Sequence, residues 1–291
     1  MWGPSSFCQF YKCCYEKYKR LIRLIMTKEK LDVFIGPCVL ESADLADTIA
    51  AYLADKLSKW NQEINIIFKG SFDKANRSSI NSYRGPGIEK GLKILEDIRT
   101  KYHFPVVTDF HTPDMADEVA ATVDVLQIPA FLCRQTDMIL EGAQACKKYN
   151  RILKVKKGQF LSPEDTKNIV EKAGHFLNKK HILLTERGSS FGYQNLIVDM
   201  SSFQIMKSFG VKTVYDATHS VQMPGGLGTS TGGKREQILV LTKAAIAAGA
   251  DGLFVETHPE PQKALSDAAT CLPLEKIEEL IDNVLKIYRV V

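Results

Sequence analysis

Between residues 31 and 291 a short apolar run rich in Val and Ile is followed by a stretch of helical periodicity, and this unit recurs eight times. The runs are 32–36 (DVFIG), 64–69 (INIIFK), 105–109 (PVVTD), 123–128 (VDVLQI), 151–155 (RILKV), 181–186 (HILLTE), 211–216 (VKTVYD) and 251–256 (DGLFVE). They are near-continuous rather than alternating, as strands buried on both faces read. Ser162-Pro163-Glu164-Asp165 opens one helix with a Ser cap, Pro at the first position and acids in the first turn. The last helix opens at Pro273 and puts Leu274, Ile277, Leu280, Ile281, Val284 and Leu285 on one face. Weaker helical patterns cover 44–59, 87–101, 114–121, 137–148, 200–208 and 235–249. Strict strand–helix alternation requires a parallel sheet, because parallel neighbours need a crossover. Eight repeats in a chain of this size predict a single-domain (β/α)8 TIM barrel over 31–291. An open doubly wound sheet would prefer a glycine-rich phosphate loop after its first strand. Here that loop is GPCVLES, with one glycine.

Residues 1–30 stand outside the repeat. The first 26 carry Lys12, Lys17, Lys19, Arg20 and Arg23 against Glu16 alone, which accounts for the whole net charge of +4. The remaining chain is neutral, so it lacks the electrostatic footprint of a nucleic-acid binder. The segment has no apolar h-region and reads as a cloning remnant or an upstream start before Met26. No window approaches the roughly 18 apolar residues of a membrane span. The seven cysteines form no CxxC pair and are odd in number. A disulfide framework is not expected in so large a chain, and a reducing, cytoplasmic setting is.

Barrel active sites are built at the C-terminal ends of the strands, and each run here ends in polar residues. In chain order these are Cys38 and Glu41; Lys69, Ser71, Lys74, Asn76, Arg77 and Ser78; Asp109 and His111; Gln127 and Arg134; Lys156 and Lys157; Glu186 and Arg187; Asp216 and His219; then Glu256, His258 and Asp267. One such end could simply face water. Eight together predict that Lys69, Lys74, Arg77, Arg134, Lys156 and Arg187 converge on one mouth, where their mutual repulsion calls for a small polyanion. Cys38, His219, Glu256 and Asp267 share that mouth. Their spacing matches no local metal motif, and a free Cys or a lone His is commonly structural, so both readings stand at this point. The glycine-rich stretch 222–233 (QMPGGLGTSTGG) reads equally as a surface loop or as a lid.

The segments FKGSFDKANRSSINSYRGPG (68–87), QIPAFLCRQTD (127–137), VKKGQF (155–160), ERGSSFGYQNLIVDM (186–200), DATHSVQMPGG (216–226) and ETHPEPQKALSDA (256–268) resemble the 3-deoxy-D-manno-octulosonate 8-phosphate synthase family. The resemblance runs from about residue 31 to the end. It implies condensation of phosphoenolpyruvate with arabinose 5-phosphate: the enol carbon attacks the aldehyde, water adds, and phosphate leaves by C–O cleavage. Related 3-deoxy-D-arabino-heptulosonate 7-phosphate synthases, which use erythrose 4-phosphate, carry KPRTS where this chain has KANRSS (74–79). Cys38 after Gly-Pro resembles the metal-dependent class. That class implies a divalent metal (Zn, Fe, Mn or Co) on Cys38, His219, Glu256 and Asp267, with Lys156 also at the reacting centre. The resemblance further implies that Lys69, Ser71, Lys74, Gln127, Lys156 and Arg187 hold phosphoenolpyruvate. Asn76, Arg77, Ser78 and Asp109 would hold the sugar phosphate, together with Arg134 from a neighbouring subunit of a homotetramer. Two rivals predict different behaviour. A Schiff-base aldolase would use a barrel lysine as nucleophile and be trapped by borohydride, and a non-catalytic sugar-phosphate-binding barrel would release no phosphate.

Overall fold

In the computed structural model, which describes residues 29–225 and 232–291, eight parallel strands close on themselves. They are β1 (Leu31–Gly36), β2 (Ile64–Lys69), β3 (Val106–Asp109), β4 (Val125–Ile128), β5 (Ile152–Lys156), β6 (Ile182–Glu186), β7 (Lys212–Asp216) and β8 (Gly252–His258). Each pairs with the next in sequence, and β1 pairs with β8 from Asp32↔Gly252 to Gly36↔Glu256, which shuts the barrel. Eight helices cover it: α1 (Ala43–Lys56), α2 (Ile88–Tyr102), α3 (Ala116–Thr122), α4 (Thr136–Tyr149), α5 (Lys167–Ala173), α6 (Ser202–Lys207), α7 (Ile238–Ala247) and α8 (Ile277–Tyr288). The expected (β/α)8 architecture is therefore the observed one. Each predicted strand lies within two residues of its place. Ser162 Oγ accepts from Asp165 N at 3.3 Å, as the cap pattern implied, although the chain first makes a 3-10 turn over Glu164–Thr166. No helix among the described residues is long and apolar enough to cross a membrane. The extension 1–28 and residues 226–231 of the glycine-rich stretch lie outside the described residues.

Two apolar cores follow from the strand period of two. The larger lies between sheet and helices, where Leu280, Ile281, Val284 and Leu285 of α8 are buried with Val33, Ile35, Leu253 and Val255. The smaller fills the barrel: Phe34, Ile67, Val107, Val125, Leu183, Val214 and Phe254, one from each of seven strands, with Ile152 of β5 packed against them. Two residues further along, on the same inward face, stand Gly36, Lys69, Asp109, Gln127, Lys154, Thr185, Asp216 and Glu256. Alternation thus converts an apolar floor into a polar ring one step nearer the mouth.

Gly36 is required in that ring by close approach. A Cβ built there would lie 2.0 Å from the Lys69 carbonyl oxygen, which is backbone and cannot swing aside. Gly36→Ala should force β1 from β2 at the mouth end and lower the unfolding free energy by about 1–3 kcal/mol or more. Urea denaturation against the parent chain reads this directly, and an unchanged midpoint would refute it.

Candidate active site

Glu256 is the hub of the mouth. Its Oε1 accepts from Lys69 Nζ at 2.6 Å and lies 3.6 Å from Lys74 Nζ. Lys69 reaches it from β2 and also donates to the carbonyls of Pro37 and Cys38, at 3.0 and 2.5 Å, so all its protons are spoken for. Burial opposes the charge on Glu256, but His219, Lys69, Lys74 and Lys156 outweigh it and hold the carboxyl well below its ordinary range. The other oxygen, Oε2, is buried and has no hydrogen-bond partner. Across from it stands His219 Nε2, 3.6 Å away, and that nitrogen is also 3.9 Å from Asp267 Oδ2.

Asp216 sets the His219 ring. The ring Nδ1 lies 3.0 Å from Asp216 Oδ1, an acceptor, so Nδ1 carries the proton of that bond and Nε2 keeps its lone pair for the centre. Asp216 also receives the His219 backbone N–H at 2.9 Å and faces Lys156 Nζ at 2.8 Å. Burial raises its carboxyl, yet His219 and Lys156 bring it well below the usual value. Cys38, just past β1, donates from Sγ to Asp267 Oδ2 at 3.1 Å. One ligand atom each from Cys38, Glu256 and Asp267 lies within 4.8 Å of the others, a group able to hold a metal ion. Burial and the negative charge of Glu256 push the Cys38 thiol well above its ordinary value, so it is protonated unless a cation replaces the proton. Asp267 itself sits at φ 50, in the left-handed region that non-glycine residues rarely occupy.

A second line of contacts crosses the floor of the mouth. Ser71 Oγ donates to Asp109 Oδ2 at 2.5 Å, Gln127 Nε2 donates to Asp109 Oδ1, and Lys154 Nζ donates to Gln127 Oε1 at 2.6 Å. Burial raises Asp109, but Lys74, Lys69 and Lys156 prevail and keep it ionised. The Phe254 ring lies beneath three lysines, with Nζ of Lys156, Lys154 and Lys69 at 3.8, 4.7 and 5.6 Å from its centroid. Arg187 is buried; its NH2 donates to Gln222 Oε1 at 2.7 Å, while NH1 has no partner.

The barrel thus brings together Cys38, Lys69, Ser71, Lys74, Asp109, Gln127, Lys156, Arg187, His219, Glu256 and Asp267 through direct contacts or shared neighbours. Arg77 joins them from the side, donating to Ser266 Oγ and to the Leu265 carbonyl at 3.0 Å, next to Asp267. Asn76 and Ser78 are exposed on the same loop. The predicted convergence fails for Arg134 within one chain. It is exposed and lines a groove of about 290 Å³ with Leu161, Asp165, Asn168, Ile169 and Lys172, beside the segment after β5. Lys157 and Glu186 also leave the ring: Lys157 lies one residue past the inward Lys156, and its Nζ meets Glu186 at 3.4 Å and Ser189 at 2.9 Å. Two participants went unread in the sequence. Lys154 was hidden inside an apolar run, although its spacing of two from Lys156 put both on one strand face. Gln222 reads, by sequence, as part of a glycine-rich loop.

The barrel thus carries an anion-gathering mouth beside a metal-capable cluster, and residues 23–288 match the DAHP synthetase I family; the chain belongs to it. Within the family its similarity runs to proteins named 2-dehydro-3-deoxyphosphooctonate aldolase. That of Francisella tularensis subsp. holarctica (strain LVS) is 54% identical over 246 residues, covering 84% of this chain and 87% of the relative. Those of Stenotrophomonas maltophilia (strain K279a) and Fusobacterium nucleatum are 50% and 48% identical over 259 and 264 residues, covering 89% and 91% of this chain and 91% and 92% of theirs.

Removing Glu256 takes the ion-pair partner from the buried Lys69 and the partly buried Lys74. Glu256→Ala should cost about 3–5 kcal/mol of unfolding free energy, the usual penalty for breaking a buried pair from one side. Urea unfolding of chelator-treated protein measures it; a loss below about 1 kcal/mol would mean that Lys69 and Lys74 escape to water.

Proposed function

We propose that this chain condenses phosphoenolpyruvate with D-arabinose 5-phosphate and water, yielding 3-deoxy-D-manno-octulosonate 8-phosphate and inorganic phosphate. The observation that carries the reading is the cluster of Lys69, Lys74, Lys156 and Arg187 around the Cys38–Glu256–Asp267 group. It occurs in a chain about half identical, over most of its length, to aldolases of that name. Two anionic substrates repel each other, so the chain's first task is to offset that repulsion and align an enol carbon with an aldehyde. Lys69, Ser71, Lys74, Gln127, Lys156 and Arg187 hold phosphoenolpyruvate. Arg187 suits an anion because its NH1 is buried and unpaired. Asn76, Arg77 and Ser78 take the sugar phosphate, and Asp109 accepts from sugar hydroxyls. Arg134, exposed on its own subunit, completes that site for a neighbour in a homotetramer working in the cytoplasm.

The donor set fits a divalent ion of the Zn, Fe, Mn or Co type, held by Cys38, His219, Glu256 and Asp267. The orphaned Glu256 Oε2 and the Nε2 of His219 facing it are the marks of that fit. When bound, the ion supplies a fixed positive charge that orients an oxygen of the aldehyde or of water. Asp216 keeps the proton on His219 Nδ1 and so preserves Nε2 as a donor atom. Lys156, held by Asp216 and the Phe254 face, offers its ammonium to the phosphoenolpyruvate anion. The methylene carbon of phosphoenolpyruvate bonds to the aldehyde carbon with the C=C electron pair, and the aldehyde oxygen takes up a proton; water adds to the carbon bearing the phosphate ester and gives up a proton; the C–O bond to phosphate then breaks, the adduct's hydroxyl proton passing to phosphate as the ketone forms.

Phosphate release with phosphoenolpyruvate should be fast with arabinose 5-phosphate and slow with erythrose 4-phosphate. Chelator should abolish it, and added zinc, manganese or cobalt should restore it. Faster turnover of the four-carbon sugar, or full activity after stripping, would overturn the reading.

A further inference from the structure

Gln222 spans the two halves of the mouth. Its Oε1 accepts from Arg187 NH2 at 2.7 Å, and its Nε2 donates to Asp267 Oδ1 at 3.0 Å. The orientation is forced, since a guanidinium only donates and a carboxylate only accepts; the amide can satisfy both in one way alone. Asp267 Oδ2 meanwhile receives the Cys38 thiol. A continuous path therefore runs Arg187–Gln222–Asp267–Cys38, from the cation with an unpaired NH1 to the thiol of the metal-capable group.

The backbone makes this path more than incidental. Asp267 holds a left-handed conformation, which residues with a Cβ seldom adopt and which surrounding contacts here support. Its carboxylate is held by Gln222 on one oxygen, while the other takes the weaker Cys38 thiol and, at 3.5 Å, the Ser266 hydroxyl. Gln222 is itself fixed: it is buried, its N–H approaches the His219 carbonyl at 3.3 Å, and its strand residue pairs with Gly233.

We propose that Gln222 is a positioning residue that presents the Asp267 carboxylate to the metal and the Arg187 guanidinium to phosphoenolpyruvate, so that one amide sets both affinities. This rests on the metal-dependent reading above. An amide that orients a ligand through its outer oxygen acts as outer-sphere partners of metal ligands do, and removing such a partner lowers metal affinity roughly 10- to 100-fold.

The test uses full-length protein, stripped and titrated with cobalt(II), whose thiolate-to-metal absorption reports Cys38. Gln222→Met keeps the side-chain volume and removes both hydrogen bonds. It should weaken cobalt affinity roughly 10-fold or more, and calorimetry on the cobalt-loaded form should show weaker phosphoenolpyruvate binding as well. Gln222→Asn, one methylene too short to span the gap, should act in the same direction and serves if the Met variant does not fold. Leu280→Ala, in the core under α8, is the control for general destabilisation and should leave cobalt affinity at the parent value. Parent-like cobalt affinity in the Gln222 variants would overturn the inference alone. No thiolate band in the parent protein would overturn the metal reading, and this inference with it.

Discussion

The contact of Glu256 with Lys69 and Lys74, seconded by Asp216 on Lys156, is what allows Lys69, Lys74, Lys156 and Arg187 to stand around one cavity. Without these carboxylates the mouth is a buried concentration of like charge. Such arrangements seldom add stability: replacing a buried ionic cluster by apolar groups of similar shape is often neutral or favourable. The stability has to come from elsewhere, and it does, from the layer between sheet and helices and from the apolar floor around Phe34 and Phe254. The mouth is thus free to be built for ligands rather than for cohesion.

The division between floor and mouth follows from strand geometry. A residue and the one two places on share a face, so a strand reading apolar–x–polar at its C-terminal end delivers a wall and then a functional group. Ile67 then Lys69, Val107 then Asp109, Val125 then Gln127, Val214 then Asp216, and Phe254 then Glu256 all obey it. This is why the polar ends of the strands were legible in the sequence. It also explains why the neighbouring residues misled: Lys157 and Glu186 are as polar as their neighbours, but they leave the ring and pair with each other.

Other features required the third dimension. Lys154 looks like a solvated lysine in any linear reading, yet it is fully buried over two phenylalanine rings with an amide oxygen as its partner. Burial, with Lys156 beside it, pushes its ammonium well below the ordinary lysine range. No local pattern reports that. Gln222 was equally opaque, because an amide between a guanidinium and a carboxylate can be recognised only once both are in place. Arg134 shows the converse. A cation after a strand reads as a mouth residue, but Arg134, just past the turn at Ala130–Leu132, is exposed on a groove with Asp165 and Lys172, which follows from loop path rather than residue type.

The β1–β8 seam joins the first strand of the barrel to its last, and Cys38 meets Asp267 across 229 positions of sequence. Synthesis proceeds from one end only. While the ribosome is still adding β7, the thiol, the lysines of β2 and β5 and the guanidinium after β6 already exist, but the acidic partners Glu256 and Asp267 do not. The growing polypeptide therefore passes through a stage in which its cations have no opposing charge from the final strand. Competence arrives late and all at once, when the closing segment leaves the exit tunnel, and a chain released early carries the cations without the carboxylates that set them.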